Sequence, residues 1–187
     1  RLGQEDEARK QLEQTFNAGY KSPETVNSLR LLDSYKNYDT FKTPTTILRL
    51  NKKESGLLRP YFQEEFDRAL ATYEKKYHYK LKQPVQIEVY PDHEDFAVRT
   101  LGIPGLGALG VTFGYVVAMD SPSARKPGQW HWASTMWHEL SHVYSLAMTN
   151  FRVPRCFSEG LAVYEEPPAA PDGAHRRRPR RRAPPEH

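Results

Sequence analysis

Residues 134–146 read STMWHELSHVYSL, with His138 and His142 four apart and Glu139 directly after the first. On an α-helix that spacing sets two imidazoles one turn apart on the same face, where both can aim at one ion. Glu139 lies about 100° further round the helix, near such an ion but not pointed at it. That is the place of a general base serving a metal-activated water. Composition makes H-E-x-x-H a rare accident, about 0.02 occurrences in a chain with this many histidines. The competing reading is a core helix that carries two histidines and a helix-favouring glutamate.

A catalytic zinc takes three protein ligands and keeps a fourth position open. Residues 153–166, VPRCFSEGLAVYEE, supply a third candidate in Glu159. The sixteen residues between His142 and Glu159 suffice to finish one helix, turn at NFRVP and present a carboxylate from the first turns of the next. Gly160 and Ala162 are small and are expected to let the two helices approach. Glu165 and Glu166 lie farther along, as supporting or solvated carboxylates. His131 stands seven residues before His138 and is expected to cap the helix or face solvent. His78 and His93 have no motif around them. Cys156 is the sole cysteine, which excludes an internal disulfide framework and a Cys-based zinc knuckle.

Working outward, the spacing predicts a helix over 130–148 and a last helix over 155–166. Upstream, VTFGYVVAMD (111–120) reads as one strand or a tight pair, with Gly114 as bulge or turn. TTILRLN (45–51) and PVQIEVY (84–90) are strands. A long helix is expected over 57–77, with Pro60 in its first turn and Phe62, Phe66, Ala69, Leu70, Tyr73 and Tyr77 on the buried stripe. DHEDFAVRT is a short helix capped by Asp92, and GIPGLGALG a glycine-rich loop. Residues 4–18 form a helix with Ala8, Leu12 and Phe16 every fourth position. A second helix over 23–35 buries Val26, Leu29, Leu32 and Tyr35. The order of elements predicts an α+β fold with a small mixed sheet and the H-E-x-x-H helix against it.

The chain has 187 residues, 38% hydrophobic and 27% charged, within the range of globular domains, and no apolar run is long enough to span a bilayer. The net charge of +4 belongs to residues 167–187, which hold six arginines against Asp172 and Glu186. The remainder balances 21 basic against 21 acidic residues, so no specific nucleic-acid partner is expected of it. The tail, PPAAPDGAHRRRPRRRAPPEH, has no aromatic residue and no Ile, Leu or Val, and is expected to be disordered. Its abrupt start after GLAVYEE is what a shifted reading frame produces. The organisation read from the chain is a helical hairpin over 1–40, a catalytic subdomain over 41–166 and the tail over 167–187.

WHELSHVYSL followed by VPRCFSEGLAVYEE resembles the gluzincin zinc metallopeptidases, in particular the peptidase-MA-like domains often joined to tetratricopeptide repeats. The resemblance spans roughly residues 45–166 and is most specific in its final third. It implies a zincin-like N-terminal catalytic subdomain, Zn2+ held by His138, His142 and Glu159, Glu139 as general base, and a peptide or protein substrate. GVTFGYVVAMDSPSAR looks like the edge strand that precedes the active-site helix in that group. The first hairpin, with Leu2-Gly3, Ala8 and a following proline, resembles the end of a tetratricopeptide array; an ordinary helical hairpin is the alternative. Two departures stand out. Cys156 occupies a position that is usually Trp in that group, which implies a cavity beside the zinc helix, with an extra sulfur ligand as the alternative. The second subdomain of gluzincins, which supplies a Tyr or His to stabilise the oxyanion, has no counterpart here, which implies impaired activity. The rival function is a non-catalytic, zinc-binding, repeat-linked interaction module.

Overall fold

The computed structural model describes residues 3–167, and the tail expectation for 168–187 lies outside the described residues. Helix α1 (Glu5–Asn17) begins with three acidic residues, which suit the positive end of the helix dipole. Its Ala8, Leu12 and Phe16 are half-buried, and it packs on α2 (Pro23–Ser34). Ser22 caps α2 by accepting from the Thr25 N–H, and Pro23 opens the first turn. The buried stripe of α2 differs from the expected one. Thr25 and Leu31 are buried while Val26 is 42% exposed. The cause is the neighbour: α2 packs against α1 and the later helix α4, so its inward face is rotated.

A 3-10 turn over Tyr35–Asn37 leads into β1 (Tyr38–Lys42), a strand the sequence reading missed. It pairs antiparallel with β2 (Thr46–Asn51) through a short turn in which the Thr43 N–H donates to the Thr46 carbonyl. At the sheet's edge YDTFK buries only Tyr38, so its apolar alternation is faint. The long helix α3 (Ser55–Tyr77) starts earlier than predicted, which puts Pro60 in the second turn. The Gly56 carbonyl therefore has no N–H four residues on to bond. Of the expected stripe, Phe62, Phe66, Ala69, Leu70 and Tyr73 are buried, while Tyr77 at the helix end is only half-buried.

Strands β3 (Val85–Tyr90), β4 (Gly110–Phe113) and β5 (Val116–Asp120) complete a five-stranded sheet of order β1-β2-β3-β5-β4. The pairs β2–β3 and β3–β5 are parallel, and both edge pairs are antiparallel. The stretch 111–120 is thus a tight pair of strands. Gly114 takes φ 62° in the turn between them, a conformation that disfavours any side chain. Residues alternate across the sheet. Leu48, Leu50, Ile87, Val89, Val117 and Met119 face α3 and α5 (Trp132–Met148), forming the main core with Met136, Leu140 and Val143. The opposite face carries Tyr90 and Ala118 against Leu31 of α2 and against Phe96 and Val98 of α4 (His93–Leu101). The result is a mixed sheet between two helical layers, with the predicted α+β class.

That second face also buries charge. Glu88 is fully buried on β3. It accepts from Arg99 Nε at 2.6 Å, from the Tyr90 hydroxyl at 2.8 Å and from Gln86 at 2.6 Å. Arg49 lies 3.6 Å away and bonds Glu5 of α1 through both terminal nitrogens. The hairpin is thereby tied to the sheet by a satisfied ionic network rather than by apolar contact alone.

Candidate metal centre

Helix α5 gets its orientation from the core. Met136, Leu140, Val143 and Tyr144 are buried in the core, Tyr144 against Tyr73 and Tyr77 of α3, and the Tyr73 hydroxyl donates to the Trp137 carbonyl at 2.9 Å. With that face buried, the 3.6-residue period turns His138 and His142 outward together. His131 caps the helix as expected, its Nδ1 accepting from the Ser134 N–H. The turn after α5 is tight, with Asn150 and Phe151 both left-handed. It delivers α6 (Arg155–Glu165) back across the two histidines.

Three ligand-type atoms converge there. His138 Nε2 and His142 Nε2 are 3.1 Å apart, and Glu159 Oε2 lies 3.6 Å from the first and 3.5 Å from the second. These three residues form a candidate metal-binding group. The outer ring nitrogens show which proton sits where. His138 Nδ1 is 2.8 Å from Glu166 Oε1, an acceptor when ionised, so Nδ1 carries the hydrogen. His142 Nδ1 donates to Ser158 Oγ at 2.7 Å. Ser158 then donates to Ser145 Oγ at 2.9 Å, and Ser145 to the His142 carbonyl at 3.1 Å, closing a ring of bonds. With both outer nitrogens engaged, the two Nε2 atoms are left facing each other beside a carboxylate oxygen, a donor set that a cation would bridge. Burial, then the His138 charge, holds the His142 pKa below its ordinary value and favours the neutral, ligating form.

Glu139 is 5% exposed, behind the triad and against β4. Its Oε2 accepts from the Thr112 hydroxyl at 2.7 Å. Burial pushes its pKa up to about 7, outweighing the lowering by Thr112 and by His138, while Glu159 and Glu166 add to the rise. A carboxyl poised near neutrality suits proton transfer in both directions. The cleft has a volume of about 660 Å³ and runs between β4 and α6, from Ala108 and Gly110 past the triad to Leu146 and Val153. Among the described residues lining it there is no tyrosine and no further histidine.

Other expectations meet mixed outcomes. Ala162 is buried at the helix contact, but Gly160 faces open space, being turned about 160° away from it on the helix. Cys156 is exposed, so it neither fills a core position nor joins the triad. Both trailing glutamates are engaged: Glu166 with His138, and Glu165 with Lys76 and the Tyr77 hydroxyl of α3 at 2.5 Å each. His93, without any motif, lies 2.9 Å from buried Asp120 and 2.6 Å from the Leu106 carbonyl of the glycine-rich loop. Sequence reasoning missed Ser158, Thr112 and Gly110. Ser158 had a signal, being the residue before the candidate ligand Glu159 and one face away from it.

No protein-family model matches the chain, and no curated protein or solved structure matches it significantly.

Proposed function

We propose that this chain carries the catalytic centre of a zinc-dependent peptidase, with His138, His142 and Glu159 as ligands and Glu139 as general base. The observation that carries the reading is the convergence of two imidazole Nε2 atoms and one carboxylate oxygen in a triangle of 3.1, 3.5 and 3.6 Å. Tetrahedral zinc with bonds near 2.0–2.1 Å separates its ligands by about 3.3–3.4 Å, and the spacing of the three residues fits that separation. When bound, zinc supplies Lewis acidity that lowers the pKa of water and polarises a carbonyl.

The chain's own groups do the rest. Glu159 and the two imidazoles hold their positions through Arg155, Glu166 and Ser158. Glu139 accepts a proton from the attacking water at its carboxylate and delivers it to the departing amine. β4 is an edge strand, paired among the described residues with no strand but β5, and its other side borders the cleft. An extended peptide adds there as a further strand, which favours peptide over smaller amide substrates.

The test is zinc stoichiometry by mass spectrometry joined to turnover of a mixed peptide library by the full chain. About one zinc per chain with hydrolysis, lost in Glu139→Gln while zinc is retained, is the expected result. His138→Ala should lose the metal. Zinc without turnover in the unaltered chain would instead support a non-catalytic zinc-binding interaction module.

A further inference from the structure

A general base has to stand still while the rest of the cleft admits a substrate, and strand β4 is in contact with the Glu139 side chain. We propose that Gly110 and Thr112 form a seat on β4 that positions the Glu139 carboxylate, with Thr112 as a positioning residue. This rests on the peptidase reading above. Residues two apart on a strand share a face, and here that face meets α5. Thr112 Oγ1 lies 2.7 Å from Glu139 Oε2 and 3.0 Å from the Glu139 carbonyl. A hydroxyl has one hydrogen, and the ionised carboxylate is the stronger of the two acceptors.

Gly110 supplies the room. A Cβ there would stand 2.8 Å from Glu139 Cγ, 2.8 Å from Thr135 Cγ2 and 2.9 Å from Glu139 Oε1, distances that real side chains do not tolerate. Thr135 cannot easily yield, because its hydroxyl accepts from Trp130 Nε1 at 2.7 Å. The two oxygens of Glu139 are thus distinguished. Oε2 is tied to Thr112, and Oε1 lies over the bare backbone of Gly110, which lines the cleft. With Glu139 only 5% exposed, no solvent shell replaces the threonine bond if it is removed. The strand that would hold a peptide by its backbone edge therefore holds the base by its side-chain face, fixing the two relative to each other.

Thr112→Val keeps the shape and deletes the hydroxyl. Misplaced catalytic groups lose rate steeply, so kcat should fall about tenfold or more while KM stays within about twofold. Thr112→Ser, which keeps the hydroxyl, should restore kcat to within about threefold. Zinc affinity by chelator competition should be the same in all three proteins within about twofold, since no ligand is touched. In the metal-free chain, the 13Cδ resonance of Glu139, identified by its loss in Glu139→Gln, should move in Thr112→Val and not in Thr112→Ser. Unchanged kcat in Thr112→Val, a Thr112→Ser variant that behaves like it, or a loss of zinc affinity would each overturn the proposal. If the unaltered chain hydrolyses nothing, the peptidase reading fails on its own, and the carboxyl resonance decides the seat: no shift in Thr112→Val refutes it.

Discussion

The two histidines are held by unlike partners, and zinc affinity should register the difference. His142 Nδ1 bonds Ser158, which is 6% exposed, on an imidazole that is 13% exposed. Ser158→Ala strands that N–H away from solvent and opens the ring of bonds through Ser145. An unsatisfied buried donor costs about 1–3 kcal/mol, which at about 1.4 kcal/mol per decade is roughly fivefold to a hundredfold in affinity. His138 Nδ1 bonds Glu166, whose side chain is 39% exposed. Glu166→Gln leaves an amide oxygen to accept the same hydrogen, and water reaches the site. The loss there should be no more than about fivefold, because an exposed charge partner is screened. Titration of each metal-free variant with zinc against a chromophoric chelator measures both constants at one pH. The reasoning is refuted if Glu166→Gln weakens zinc as much as Ser158→Ala does, or if Ser158→Ala stays within twofold of the unaltered chain.

Two further predictions concern the scaffold. Glu88→Gln leaves Arg99, 9% exposed, beside a neutral side chain, and should destabilise the fold by about 3–5 kcal/mol in urea unfolding. Burial alone would push the Glu88 pKa up, but the Arg99 charge and bonds, with Arg49 and Tyr90, hold it below the ordinary carboxylate value. Its stabilising share is therefore complete above the unfolded value, about pH 4.3, and drains away as pH falls through the lower folded value. The acid limb of a stability–pH profile should accordingly be shallower in Glu88→Gln than in the parent; equal limbs would count against the network. Phe151 sits at φ 61° with its side chain 59% exposed, so Phe151→Gly relieves left-handed strain while losing little packing. Thermal unfolding should show a gain of about 0.5–1 kcal/mol, and a loss instead would mean that the ring over Gly114 contributes more than the strain costs.

The features legible in the sequence were those whose period is enforced by burial on one side. Phe62, Phe66, Ala69, Leu70 and Tyr73 repeat at helical spacing because α3 lies along the sheet, and VQIEVY shows its β character because both faces are covered. The H-E-x-x-H pair was legible for the same reason, since the core fixes which way α5 is rolled. What stayed hidden depends on partners distant in the chain. YDTFK carries an edge strand's polarity and gains its strand only by pairing with β2. The face of α2 is decided by α1 and α4, which no local window contains. Gly110 looked like one more glycine in a loop of several; its significance is the approach of Glu139 and Thr135 from α5, two dozen residues later.

Helix α6 holds the fold and the candidate metal centre in one set of contacts. Among the described residues its apolar anchor is slight: Ala162 is its one fully buried hydrophobic side chain, while Phe157, Val163 and Tyr164 stand more than 60% exposed. Its polar anchors are Ser158 to His142, Glu166 just beyond its end to His138, and Glu165 to Lys76 and Tyr77. Two of these three run through the imidazoles that face Glu159. Together with the residue after it, α6 brings three carboxylates, Glu159, Glu165 and Glu166, toward α5 and α3; Lys76 pairs with Glu165 and Arg155 with Glu159.

 The cation nearest the triad is the Arg155 guanidinium, 3.5 Å from Glu159 and almost fully exposed, so it screens the cluster weakly. A divalent ion held by His138, His142 and Glu159 would add a link between α5 and α6. By linkage, whatever free energy the ion gains from the preformed triangle it returns as stability of the α5–α6 contact. Metal affinity and the docking of α6 are therefore one quantity viewed from two sides. That is why a serine and a glutamate on the α6 side, neither of them a ligand, belong to the chemistry of the site as much as to its architecture.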